Sequence, residues 1–184
     1  MNLIKFEPFS KIPRLTRKCI ITEKIDGTNA QIYIGEQGEF YIGSRKKWIL
    51  PEDDNYGFAR WALENKEELL KLGVGAHFGE WWGQGIQRKY NMDKKVFSLF
   101  NVDRWSDDEA RPKCCNVVPV LYEGMFDTQA IQDTLDHLEV NGSVCAPGFM
   151  KPEGVIIYHK TSNLLFKKTI EKDEEYKGKA FFNN

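Results

Sequence analysis

The sequence predicts an α+β fold dominated by antiparallel sheet. Three observations carry this expectation. Short alternating apolar runs recur along the chain and are separated by Gly- and Asp-containing turns. Only two stretches show the spacing of an amphipathic helix. No repeat and no Pro/Gly/Ser-rich linker divides the 184 residues, which is the length of one domain. A single unit over residues 1–184 is therefore expected, with no separate C-terminal domain.

Taken in order, Cys19 to Lys24 reads as a strand that stops at the Asp26-Gly27 turn. Asn29 to Ile34 follows, with Ile32 and Ile34 on one face. The Gly35-Glu36-Gln37-Gly38 loop then turns the chain back through Phe40 to Ile42. Gly57 to Leu72 aligns Phe58, Trp61, Ala62, Leu69 and Leu70 along one helical stripe, with Gly73 as its C-cap. Strands are expected at Ala76 to Trp81, Val96 to Asp103 and Val117 to Glu123. A second helix over Asp127 to Val140 carries Ile131, Leu135 and Leu138 and stops at Asn141-Gly142. Strands at Gly154 to His159 and Leu164 to Thr169 complete the pattern. The mixed-charge stretch Glu171-Lys172-Asp173-Glu174-Glu175 reads as solvated.

Composition narrows the function. Apolar residues make up 41% and charged residues 29%, which is globular rather than disordered. With 26 Lys+Arg against 27 Asp+Glu the net charge is -1, so any polyanion must be met by a local patch. No apolar run approaches the roughly 18 residues of a membrane span, and Met1 to Pro8 lacks the basic flank and apolar core of a signal peptide. Four cysteines at this length do not form a disulfide framework, so a reducing compartment is expected. Cys114-Cys115 have no partner pair at zinc spacing, and His77, His137 and His159 are scattered.

The chemically informative segment is Thr22-Glu23-Lys24-Ile25-Asp26-Gly27-Thr28-Asn29. A lysine that ends an apolar strand projects from a rigid element into whatever cavity its turn borders. Such an amine becomes a nucleophile when neighbouring cations lower its pKa. Asp26 also suits the plain role of a turn former. Further along stand Ser44-Arg45, Phe78-Gly79-Glu80-Trp81-Trp82-Gly83 with Gln84 to Arg88 after it, Val96 to Val102, Pro152-Glu153-Gly154-Val155-Ile156-Ile157-Tyr158 and Leu164-Leu165-Phe166-Lys167-Lys168-Thr169.

In this order, over about residues 22 to 169, the motifs resemble those of the ATP-dependent RNA ligase family. These are phage-type enzymes of the covalent nucleotidyltransferase superfamily, which includes DNA ligases and mRNA capping enzymes. The resemblance implies the nucleotidyltransferase (adenylyltransferase) domain of the ATP-grasp-like DNA/RNA ligase and capping enzyme type, with antiparallel sheets flanking an ATP cleft. It implies an enzyme of RNA repair that forms a lysyl-AMP intermediate and joins RNA 5′-phosphate and 3′-hydroxyl ends. The implied cofactors are ATP and Mg²⁺ (or Mn²⁺), the partner is RNA, and the location is the cytoplasm, that of a host if the source is viral.

Residue by residue, Lys24 is then the nucleophile. Asp26 orients it or organises a hydrated metal. Asn29 contacts ribose or a metal-bound water, or closes the turn. Glu23, which alternation places on the strand face opposite Lys24, meets the adenine edge or is a surface carboxylate. Arg45 clamps phosphate or ribose oxygens. Glu80 binds the ribose 2′-hydroxyl or a metal, or is a buried glutamate paired to an arginine. Phe100 stacks on adenine, with Phe97 on the opposite strand face as a core residue. Glu153 coordinates the metal, with water often intervening. The family's alternating lysines are replaced by a doublet, so one of Lys167 and Lys168 faces the α-phosphate. Lys167 is favoured because it shares a face with Thr169. Arg88, Lys89, Lys94 and Lys95 form a basic cluster that serves RNA phosphates or is a solvated loop.

Only residues 170–184 follow Thr169, too few for the additional domain of DNA ligases and capping enzymes. Two alternatives remain open: a DNA ligase-like enzyme, and an adenylyltransferase or nucleotide-binding module whose RNA grip comes from a partner protein.

Overall fold

The computed structural model describes residues 5–171 and 173. Among these residues nine strands form two sheets. The first sheet has the order β7 (Val120–Met125), β1 (Lys18–Lys24), β8 (Gly154–His159) and β9 (Leu164–Thr169). The second has the order β3 (Phe40–Ser44), β2 (Thr28–Ile34), β4 (Gly75–Gly83), β5 (Lys95–Leu99) and β6 (Cys115–Val117). The turn of residues 25–27 joins β1 to β2, so the chain passes from one sheet to the other immediately after Lys24.

Each sheet buries one face against a helix. On the second sheet Ala30, Ile32, Trp81, Phe97 and Leu99 pack against Phe58, Ala59 and Ala62 of α1 (Phe58–Glu64). On the first, Cys19, Ile21, Val155 and Ile157 pack against Leu135 and Leu138 of α4 (Thr128–Asn141). Asp127 caps α4 by accepting the Gln129 N–H, and Gly142, at φ 79°, ends it. A third cluster, with Ile25, Trp82, Tyr90, Val96, Val118, Ala146 and Phe149, fills the junction between the sheets beneath the 25–27 turn. No described helix is long and apolar enough to cross a membrane.

Four expectations are corrected. The helix over Gly57 to Leu72 is broken: Asn65 has φ -104° and ψ 15°, and its side-chain amide donates to the Trp61 carbonyl. Beyond it lie α2 (Lys66–Leu69) and a 3₁₀ turn, Leu70–Leu72, so Leu72 is buried and Leu70 faces out. The strand expected to run to Asp103 stops at Leu99, because Asn101 caps the short α3 (Val102–Trp105) by accepting the Arg104 N–H. The strand expected over Val117 to Glu123 divides at Val118-Pro119, where proline offers no ladder donor and the chain changes sheet. Finally, β5 and β6 pair in parallel, so the sheets are not purely antiparallel. The excursion of residues 100–114 is long enough for such a crossover.

Candidate active site

Lys24 is the last residue of β1 and pairs in register with Gly154, the first residue of β8. Glu153 therefore stands beside it, and the Lys24 ammonium donates to Glu153 Oε2 at 2.5 Å. Both side chains are about one-fifth exposed, at 21% and 19%, so the pair borders solvent without being open to it.

The turn after Lys24 is pinned from two sides. Gly27 lies so close to β4 that a Cβ there would sit 2.5 Å from the Trp81 carbonyl oxygen and 2.7 Å from Trp82 Cβ. Only glycine permits that approach, and it lets the Gly27 N–H donate to Glu80 Oε1 at 3.0 Å. The Asn29 side-chain amide donates to Glu80 Oε2, also at 3.0 Å. Glu80 is only 7% exposed. Burial pushes its carboxyl up to about 7, and the Glu153 charge pushes the same way. The Gly27 N–H, the Lys24 charge and Asn29 oppose the rise. The alternative of a buried glutamate paired to an arginine is not what the structure shows.

On the other side of the turn, the Asp26 N–H donates to the Tyr90 hydroxyl at 2.7 Å. Tyr90 is buried between Trp82 and Phe149, with ring centroids 5.0 and 4.6 Å away. Burial pushes its phenol well above the usual range. The Asp26 carboxylate accepts from Arg88 Nε at 3.0 Å, and another Arg88 nitrogen donates to the Lys151 carbonyl at 2.9 Å. Arg88 thus ties the 25–27 turn to the segment that leads into Glu153. Asp26 engages Arg88, while Lys24 pairs with Glu153. Arg88, grouped above with a basic surface cluster, is an internal clamp. Tyr90 was not anticipated, and no sequence signal pointed to a contact 64 residues away.

Glu23 is neither a surface carboxylate nor an adenine contact through its side chain. It points away from Lys24 onto the α4 face of the first sheet and is 1% exposed. There it accepts from the Ser143 hydroxyl at 2.6 Å and from the Val144 and Cys145 N–H groups at 2.8 and 3.0 Å. Its role is to hold the loop that follows α4.

Register locates the remaining candidates. Directly paired residues share a sheet face, so Lys24 and Thr22 share one with Ile156, Lys167 and Thr169. Lys167 is exposed there. Lys168 lies on the opposite face beside Val155 and pairs with Asp173 at 3.5 Å. In the second sheet Asn29, Glu80 and Ser98 share a face. By alternation Phe100 follows Ser98 on that face, and its N–H donates to the Phe78 carbonyl. Phe97 faces the core with 0% exposure. Arg45 is exposed just beyond Ser44, which pairs with Ala30, so it sits at the same end of the sheet as the Lys24 turn. Among the described residues, direct contacts join Lys24 to Glu153, Glu80 to Asn29 and Gly27, and Asp26 to Arg88. Arg45, Phe100 and Lys167 are exposed and take part in none of these contacts.

No group of three or more His, Cys, Asp or Glu side chains able to hold a metal occurs among the described residues. The donors beside Lys24 are the Glu153 and Glu80 carboxylates. Such a set suits a hard dication that keeps several waters and takes its other ligands from phosphate oxygens.

Comparisons with known proteins bear on the family and the fold. A family model of RNA ligases matches residues 17–172. No curated protein sequence matches the chain. Among solved structures, a mutant of Naegleria gruberi RNA ligase with ATP and Mn superposes with a TM-score of 0.62 at 20% identity, over 84% of this chain and 50% of that one. The same ligase with PPi gives 0.61 at 20% identity, again over 84% and 50%. A mutant with AMP and Mn gives 0.60 at 19% identity with the same coverage. The likeness at this identity is one of fold, and the chain spans about half the length of these solved relatives.

Proposed function

Because the chain belongs to the RNA ligase family, we propose that it is an ATP-dependent RNA ligase acting through a lysyl-AMP intermediate. The observation that carries this reading is the Lys24–Glu153 pair, set at the point where the chain crosses between the two sheets.

In the first step the unprotonated Lys24 Nζ attacks the α-phosphorus of ATP. A nitrogen–phosphorus bond forms, the bond to the bridging oxygen breaks, and pyrophosphate leaves with the electron pair. The AMP is next transferred to the 5′-phosphate oxygen of an RNA end, which returns the lysine. A 3′-hydroxyl then attacks that 5′-phosphorus, forming the phosphodiester and releasing AMP.

Each residue has a task in this scheme. Glu153 pairs with the Lys24 ammonium and would be the first donor for Mg²⁺ or Mn²⁺. When bound, that metal supplies charge neutralisation on the phosphoryl oxygens. Glu80, fixed by Gly27 and Asn29, accepts from the ribose hydroxyl. Phe100 offers an open ring face to adenine. Lys167, on the Lys24 face of its sheet, and Arg45, at the end of the neighbouring strand, meet the phosphates as charge builds on them. Arg88 and Tyr90 fix the turn so that the nucleophile needs no reorganisation.

The test is incubation of the protein with α-labelled ATP and Mg²⁺, followed by a chase with 5′-phosphorylated RNA. The expected result is label on the protein, its transfer to RNA, and neither in Lys24→Ala. Undiminished labelling of Lys24→Ala would overturn the proposal. Label that transfers to nicked DNA and never to RNA would move the protein to the DNA ligase reading.

A further inference from the structure

The face of the second sheet that carries Glu80 does not end at the nucleotide site. One row out from Asn29 and Glu80 lie Gln31, Gly43 and Phe78, and Trp48 bridges to Gly43 on the same face. One row further lie Tyr33, Tyr41 and Ala76. Tyr33, Tyr41, Trp48 and Phe78 are 37%, 48%, 52% and 53% exposed. The first three form one cluster, with ring centroids 5.5 to 6.2 Å apart. The opposite face of the same strands is sealed by α1, so these rings are surplus to the core.

An uncovered row of large aromatics marks an interaction surface, and its composition indicates the occupant. At these positions the exposed side chains are aromatic or alanine, with no Leu, Ile or Val, and the Gln31 amide beside them is half-buried. Flat rings of this kind stack on bases, whose π-faces are alike in every sequence. The cluster is bordered by the turn Ser44–Lys47, whose Arg45 and Lys46 are exposed, while Lys47 is paired with Asp53. Cations beside stacking rings suit a phosphodiester backbone. The acidic residues Glu36 and Glu39 in the far hairpin loop bound the patch at its other end. Resting on the ligase reading above, we infer that Trp48, Tyr41, Tyr33 and Phe78 form a stacking platform for a single-stranded RNA segment. Its backbone follows Lys46, and its end is delivered to Lys24 along the sheet.

The experiment measures binding of a fluorescent, 5′-phosphorylated single-stranded RNA of about 12 nucleotides to the full chain without ATP. Lys24 adenylylation and the melting temperature are followed in parallel. Trp48→Ala and Tyr41→Ala are each expected to raise Kd at least about fivefold while adenylylation stays at the wild-type rate. Lys46→Ala is expected to reduce the slope of log K against log salt by about 0.7. Ultraviolet cross-linking of the unmodified protein is a readout that needs no variant, and RNA attached to the peptide containing Tyr41 and Trp48 is expected. Unchanged Kd in folded Trp48→Ala and Tyr41→Ala, or cross-links confined to other surfaces, would overturn the platform and leave the face to a protein partner. Absence of any RNA binding by the wild type would also overturn it. Loss of adenylylation in the wild type with RNA binding intact would instead defeat the ligase reading and leave the platform standing.

Discussion

Replacing Glu23 by alanine separates a structural from a nucleotide-binding role for the residue next to Lys24. The carboxylate is buried and satisfies the Ser143 hydroxyl and the Val144 and Cys145 amides. Truncation leaves these two backbone donors without their carboxylate acceptor. Each stranded donor costs about 1–3 kcal/mol, while Ser143 can rotate its hydroxyl towards another acceptor. The sum is about 2–6 kcal/mol, a large share of the roughly 5–15 kcal/mol that holds a domain folded. At about 2–4 °C per kcal/mol for a chain of this size, the melting temperature should fall by about 4–24 °C. Thermal unfolding followed by circular dichroism reads this directly. ATP affinity, measured below the variant's melting temperature, should change little. A melting temperature within about 2 °C of wild type, combined with a large loss of ATP affinity, would refute the argument.

Three further outcomes follow from the same geometry. Burial raises the Glu80 carboxyl to about 7 from its ordinary 4.5, so the native state holds a proton that the unfolded chain releases. Stability therefore falls as pH rises from about 4.5 to about 7, by about 3 kcal/mol over that window. Glu80→Gln should lose that slope, because Asn29 can turn its amide to accept from the new NH₂, and parallel urea titrations at pH values spanning the window would show it. Arg88→Ala should slow lysine adenylylation by on the order of a hundredfold, with partial recovery in Arg88→Lys, because the Asp26 turn loses its tie to the Lys151 carbonyl; single-turnover labelling measures the rate. Lys167→Ala should depress adenylylation more than Lys168→Ala, since Lys167 shares the Lys24 face and Lys168 pairs with Asp173 on the other. Equal effects in the same labelling assay would remove the face argument.

What could be seen in the sequence was whatever depends on short-range pattern. The strands over Gly154–His159 and Leu164–Thr169 match their expected bounds, because each is an apolar run between turn formers. Alternation put Phe97 and Phe100 on opposite faces, and the motif order chose Phe97 as the core residue, which is buried while Phe100 is exposed. Lys167 and Lys168 were separated by the same rule, once register showed which face carries Lys24. Features that arise from long-range contact were not visible. Glu23 is a buried anchor only because the residue 143–146 loop returns to it from 120 positions away. Arg88 looked like one of several surface cations because its partner Asp26 lies 62 positions back. The division at Pro119 was written in the chain, but its consequence, a change of sheet, depends on where both sheets lie. Gly27 could be read as a turn glycine, whereas its tighter constraint comes from the backbone of β4.

The most direct measurement is peptide-level mass spectrometry of the protein after incubation with ATP and Mg²⁺ and removal of pyrophosphate. The account predicts one adenylate, on the peptide that contains Lys24, joined by an acid-labile nitrogen–phosphorus bond and released when 5′-phosphorylated RNA is added. An adenylate on any other lysine, or none under conditions where ATP binds, would contradict it.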